Sequence, residues 1–466
     1  MNGCPYTPPH PKPVPDGEKR TLWKWIQRTR KSSLHTLYEG SFRNWLTVLK
    51  LPGGHRLVMP KDPADIRKVL VDKAPDFPKS EAMHIALKPL LGESIFTTNG
   101  EVWERQRRML DPAFAQSGLK KVFPLMLDAV EDLRLRLEAY GDTESCPIGD
   151  EMTHVTADII MRTILSYPLS AGEAHNLAAQ FEKFQRKASQ VNLMKILHLP
   201  PWMVPWDWVI WRFQGWRIRN LLGKIISSRF REYQTGTGGE YGDILEGLMS
   251  AVDPVTKTPF SEKELIDQIV MLFLAGHETS ASVLGWTFHI LANQPDYAEA
   301  IRREAEETCP DFTKVKFSEV ARLKTTRAVF REVLRLYPPV AFFSRSSAGD
   351  EEFHGCPVRS GDLVNLSPYV VQRHTELWED PDVFRPERFM GGANGRNDSG
   401  RYFPFSTGPR ICIGAAFAQQ EAHLIIARVC QLFEIEPVQG LVPEPVSRLT
   451  LRSENGISVK LKKRSC

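Results

Sequence analysis

The ten residues Phe405-Ser406-Thr407-Gly408-Pro409-Arg410-Ile411-Cys412-Ile413-Gly414 hold one cysteine between two glycines, two residues after an arginine and seven after a phenylalanine. A thiolate ligand for haem iron needs such a setting. The sulfur must stay deprotonated and shielded from water, and the N–H groups of a tight turn, a nearby cation and an aromatic cover all favour the anion. Gly408 supplies a turn conformation closed to larger residues, and Gly414 lets the following helix, from Ala415 to about Leu432, pass close under a porphyrin. Most Cys-x-Gly triplets taken singly are buried structural cysteines beside a turn; it is the full Phe-x-x-Gly-x-Arg-x-Cys-x-Gly spacing that favours the ligand. A second reactive stretch is Ala275-Gly276-His277-Glu278-Thr279-Ser280, where an acid and an alcohol stand together among small residues. Thr279 can turn its hydroxyl to the carbonyl of Ala275, four residues back, which loosens the local ladder and opens a polar notch. Gly and Thr cost stability inside a helix, so their placement wants a reason; by itself the segment reads equally as a core helix with a packing glycine.

These residues require long, rigid supports. Ser261-Glu262-Lys263-Glu264 is a capping box, and apolar residues then run through Ile266, Ile269, Val270, Phe273 and Leu274 towards Leu291. Some 30 residues of helix, at about 1.5 Å each, span roughly 50 Å and cross a whole domain, with Thr279 near the middle. In Glu332-Val333-Leu334-Arg335-Leu336-Tyr337-Pro338-Pro339 a Glu and an Arg share one helix face, and the proline pair ends the helix. Glu-x-x-Arg alone says little, since Glu104/Arg107, Glu131/Arg134 and Glu319/Arg322 repeat it as ordinary solvated pairs.

Together these segments resemble the cytochrome P-450 monooxygenases, and the resemblance extends over nearly the whole chain. It implies a mainly α fold with a small β part, in one domain, with haem between the long central helix and the cysteine-ligand loop. Cys412 is then the iron ligand, with Phe405, Gly408, Arg410 and Gly414 around it. Ala275 and Gly276 leave room for dioxygen, and Glu278 and Thr279 form the acid–alcohol pair that delivers protons. Glu332, Arg335 and Arg388, the last from Pro386-Glu387-Arg388-Phe389, match the family's salt-bridged triad, which fixes geometry and takes no part in chemistry. Gly100-Glu101-Val102-Trp103-Glu104-Arg105-Gln106-Arg107 is similar to the family's Trp-x-x-x-Arg helix, so Trp103, Arg107, Arg345 and Arg410 are expected at the haem propionates. The cofactors implied are haem b and O2 as co-substrate.

Composition agrees without deciding. The chain has 466 residues, 42% hydrophobic and 25% charged, values of an ordinary globular protein. A net charge of +4 with no basic stripe gives no reason to expect nucleic acid. Seven scattered cysteines suggest a reducing cytoplasm, and no apolar run of about 20 residues is expected to span a membrane. Residues 1–19 read as a proline-rich extended arm and 20–466 as the monooxygenase domain. The basic stretch Arg20 to Lys31, with Trp23 and Trp25, reads as an amphipathic helix packed on the body or in peripheral contact with a membrane. The absence of an anchor or appended redox domain suggests a soluble, bacterial-type member fed by a ferredoxin (or flavodoxin) and its reductase. Arg105, Arg108, Lys120 and Lys121 could form the basic docking face.

The resemblance places three regions around the substrate: Met83 to Phe96, Val191 to Phe213, and Val340 to Phe343, with Ala341, Phe342 and Phe343 in the pocket. All are largely apolar, which favours a fatty acid, terpenoid, sterol-like or aromatic compound. The tryptophan-dense 198–211 stretch reads as a membrane-dipping lid or as an aromatic cluster. Rival readings are a peroxide-driven or isomerising haem-thiolate enzyme, a non-catalytic haem sensor, and a cysteine hydrolase pairing Cys412 with a histidine such as His374.

Overall fold

In a computed structural model the described residues are 5–18, 21–50, 56–141, 145–169, 172, 180, 205–391 and 400–464. In chain order the elements used below are α1 (Leu22–Lys31), β1 (Leu46–Lys50), β2 (Arg56–Pro60), α2 (Glu81–Leu91), α3 (Gly100–Phe114), α4 (Gln116–Ala139), α5 (Ile148–Leu165), α6 (Pro205–Thr235), α7 (Glu262–Asn293), α8 (Pro295–Thr308), α9 (Lys324–Leu336), β3 (Phe343–Ser346), β4 (Leu363–Leu366), α10 (Ala415–Leu432), β5 (Phe433–Pro437), β6 (Pro445–Ser447), β7 (Leu451–Ser453) and β8 (Val459–Lys463). The mainly α fold with a small β part is as expected.

The central helix α7 starts where the capping box predicts: the Ser261 hydroxyl accepts from Glu264 N–H, and the Glu264 carboxylate takes Ser261 N–H at 2.8 Å. It stops at Gln294 because Pro295 bars a helical residue before it and serves as the first residue of α8. By length and composition α7 is apolar enough to cross a bilayer, which corrects the expectation that no such stretch exists. Its most apolar window is 72% buried within the fold, so that hydrophobicity serves the core. Helices α5, α6, α8 and α10 pack around it.

The main sheet has the order β1-β2-β4-β3. The expected hairpin forms, β1 pairing antiparallel with β2 from Leu46↔Pro60 to Lys50↔Arg56; its turn at Pro52-Gly53-Gly54 lies outside the described residues. Strand β3 runs antiparallel to β4, with Arg345 opposite Val364, and an isolated bridge sets Lys79 opposite Arg345. The N-terminal arm lies against the body: Tyr6 O accepts from Phe384 N–H, and Tyr337 donates its hydroxyl to Pro9 O. Helix α1 forms as read and leaves Trp23 exposed.

Candidate active site

A cavity of about 300 Å3 lies between the loop before α10 and the middle of α7. Its floor is the cysteine loop. Gly408 sits at φ 73°, and a Cβ there would lie 2.1 Å from the carbonyl oxygen of Leu70, so the turn admits glycine for two reasons. The fold closes the loop through Cys412 N–H to Phe405 O (2.9 Å) and Ile411 N–H to Gly408 O (3.1 Å). Cys412 is exposed into the cavity it lines, together with Phe405 and Gly414. Enclosure by protein pushes its thiol pKa up; the Gly414 N–H and the Arg107 charge work the other way. No protein atom lies within 4 Å of a Cβ built on Gly414.

The roof is α7. Ala275, Gly276, Thr279 and Ser280 line the cavity, and the Thr279 hydroxyl donates to Ala275 O at 2.7 Å, the notch foreseen from spacing. Gly276 also meets a packing demand, since a Cβ there would come within 2.6 Å of Ile160 on α5. Glu278 is outside the lining. Its carboxylate accepts from the Thr450 hydroxyl at 2.9 Å, just before β7, so acid and alcohol diverge by one helical step.

Four cations gather at one side of the cavity around Trp103: Arg107, Arg345 and Arg410, and also Lys79, which no local pattern in Pro78-Lys79-Ser80 announces. Lys79 and Arg410 lie over the Trp103 ring at 5.7 and 5.4 Å. Lys79 gives two donors to the carbonyls of Ile95 (2.5 Å) and Thr98 (2.9 Å). Arg410 donates to Ala74 O at 2.6 Å, Arg107 to Ile411 O at 2.7 Å, and Arg345 to Ser344 O at 3.2 Å. The Nε atoms of Arg345 and Arg410 are buried without a partner. Burial and the three guanidiniums push Lys79 down to about 6, and burial with Arg410 takes Arg345 to about 10. Asp111 pairs with Arg107 at 2.6 Å, but no carboxylate is paired with the other three among the described residues. Such a cluster is costly alone and fits a dianion entering from the cavity, as the two propionates of haem would.

The triad lies behind this wall. On α9, Phe330 and Leu334 face the cavity while Glu332 and Arg335 face the opposite way, both fully buried and paired twice at 2.7 and 2.8 Å. Arg388 joins at 3.5 Å.

The substrate side is apolar, with Met83, Phe96, Ile160, Ile164, Leu272 and Val340 among its lining. Of Ala341, Phe342 and Phe343, only Phe343 reaches it. Ala341 is instead turned into the body, where its carbonyl accepts from Ser367 Oγ at 2.9 Å, and Phe342 packs on the main core. Residues 191–204 lie outside the described residues, as does most of the tryptophan-dense stretch 198–211 apart from the backbone where α6 begins. Arg105 and Arg108 are held by Glu264 and Asp253, at 2.6 and 2.9 Å, and Lys120 and Lys121 are exposed. His374, stacked on Trp45 at 4.3 Å, is no part of the cavity, so it cannot serve Cys412 as a base.

The family model Cytochrome P450 matches residues 14–461. The chain belongs to the cytochrome P450 family. Among its relatives are cytokinin hydroxylase of Arabidopsis thaliana, 29% identical over 85% of this chain and 77% of that protein, and cyclooctatin synthase of Streptomyces melanosporofaciens, 29% identical over 87% and 86%. Cyclooctat-9-en-7-ol 5-monooxygenase of the same organism is 28% identical over 83% and 82%. The protein is thus a P450 monooxygenase, and haem and O2 come with the family.

Lys79 provides a direct check on the cation cluster of this P450. Substituting Lys79→Met should speed haem loss to a scavenging apoglobin by about tenfold or more, the worth of one charge-assisted hydrogen bond, while Lys79→Arg should hold haem nearly as well.

Proposed function

We propose that this P450 inserts one oxygen atom of O2 into a C–H or C=C bond of a hydrophobic organic substrate, with two electrons from NAD(P)H passed on by a ferredoxin or flavodoxin and its reductase. One observation carries the reading: the Thr279 hydroxyl and the Cys412 sulfur line the same cavity, whose other described walls are mainly apolar. Haem b, when bound, supplies the iron at which dioxygen is activated, and electron donation from thiolate favours O–O cleavage. Cys412 would hold that iron; Trp103, Arg107, Arg345, Arg410 and Lys79 would hold the carboxylates. Thr279 keeps a hydroxyl proton at Oγ1 within the notch and can release Ala275 O to present it to the cavity. Glu278, on the Thr450 side, acts as the remote acid that restores this proton through water. The apolar walls exclude bulk water and orient the substrate by shape. Oxygen insertion into a carbon framework gains weight from the Streptomyces relative named cyclooctat-9-en-7-ol 5-monooxygenase. Cytoplasmic residence, with peripheral membrane contact through α1, suits the exposed Trp23.

Turnover of a panel of terpenoid, sterol-like, fatty-acid and aromatic compounds should require NAD(P)H and redox proteins. Turnover on hydrogen peroxide alone would favour the peroxide-driven alternative. Thr279→Ala should still consume O2 but yield product with an efficiency lower by about 10², whereas Thr279→Ser should stay near wild type.

A further inference from the structure

Glu421 is a buried carboxyl that the reaction as described does not use. It stands on α10 at the helical spacing that brings Gly414, Phe417, Ala418 and Glu421 to the cavity wall. The side chain is fully buried. One oxygen accepts from the Ser280 hydroxyl of α7, and the other has no partner. Among the described residues, α10 thus meets α7 here through one polar contact between the helix that follows the ligand loop and the residue next to Thr279.

We propose that Glu421 is a positioning residue: its carboxyl, carrying its proton, holds Ser280 and so fixes the turn of α7 that presents Thr279 to the cavity. An ionised carboxylate with a single hydroxyl donor would be poorly solvated there. Burial accordingly pushes Glu421 up to about 8, opposed only by the Ser280 hydrogen bond. Phe330, Leu334 and Cys412 line the same cavity, and its cations Lys79, Arg107, Arg345 and Arg410 make no ion pair with Glu421 among the described residues. The link acts where the helix ladder is weakest. Thr279 diverts its hydroxyl to Ala275 O, and Gly276 adds no side chain, so the 275–280 turn is steadied from outside by α10. The catalytic consequence rests on the monooxygenase reading; the protonation state does not.

The test uses holoprotein at neutral pH. The infrared difference between wild type and Glu421→Gln should contain a carboxylic-acid C=O band and no carboxylate band. Glutamine, neutral and of the same shape, still accepts from Ser280, so Glu421→Gln should keep product formed per O2 within about twofold of wild type, whereas Ser280→Ala and Glu421→Ala should each lower it about tenfold, non-additively in the double variant. The thiolate absorption of the reduced, carbon-monoxide-treated protein should persist in all of them. A carboxylate band in the difference spectrum would overturn the proposal, as would Glu421→Gln behaving as badly as Glu421→Ala, or additive effects of the two alanines. Should Glu421→Ala fail to fold, the glutamine and Ser280→Ala arms still decide. If wild type itself lacks the thiolate absorption, it is the monooxygenase reading that fails, and the infrared result still stands.

Discussion

Cys412→Ser should abolish the thiolate-type absorption of the reduced, carbon-monoxide-treated protein and bring monooxygenase turnover to background, with Cys430→Ser and Cys146→Ser as unaffected controls. The contrast follows from placement. Cys430 and Cys146 are packed in the core, and burial drives both thiols up to about 12, which keeps them inert. Cys412 opens to the cavity, and its thiol pKa is also raised when only protein surrounds it. Burial alone favours the protonated thiol, and haem iron held by Cys412 would supply the positive charge that favours its thiolate form. Gly414 N–H and Arg107 then stabilise the charge that remains. A serine keeps the turn, because Gly408 and the Phe405 carbonyl set it, so loss of the absorption with folding intact would isolate the sulfur. An unchanged spectrum in Cys412→Ser would refute the ligand assignment.

What could be read from the chain beforehand was local. The Cys412 turn depends on positions within ten residues. The Thr279–Ala275 bond depends on a four-residue helical offset, and the start of α7 on a three-residue capping pattern. Contacts between distant segments were not legible. Lys79 is a cavity cation because it lies opposite Arg345 and reaches the carbonyls of Ile95 and Thr98; nothing beside it in sequence says so. Glu421 was missed for the same reason, its partner Ser280 being 141 positions away. The acid–alcohol motif names the residues but not the direction of the acid, which Thr450 sets from 172 positions on. Ala341 and Phe342 were misplaced because an apolar run does not reveal which carbonyl Ser367 will bind. Three of the four proposed cavity cations could be named from family motifs, but that Arg345 and Arg410 keep buried Nε atoms without a partner emerges only in three dimensions.

Arg335→Ala should destabilise the holoprotein by about 3–5 kcal/mol, a large part of the 5–15 kcal/mol that ordinarily separates a folded domain from its unfolded chain. Arg335 and Glu332 are wholly buried, so neither can recover hydration when its partner goes. Arg335 also donates to the carbonyls of Gln372 (2.8 Å), Pro381 (2.6 Å) and Val383 (3.1 Å), which its removal leaves short of a donor. Glu332 would keep the Arg385 N–H at 2.9 Å and the more distant Arg388. Glu332→Ala should cost somewhat less, because three carbonyls continue to solvate the guanidinium. Arg388→Ala should cost least, its contact being 3.5 Å long. Urea unfolding of the three holoproteins would test this order. The same helix separates stability from chemistry: Phe330 and Leu334 line the cavity, while the charged pair points away from it. Triad variants should therefore give a low yield of holoprotein whose surviving fraction has a normal carbon-monoxide spectrum and normal product per O2 consumed. A variant that folds well but couples poorly would instead put these charges in the reaction.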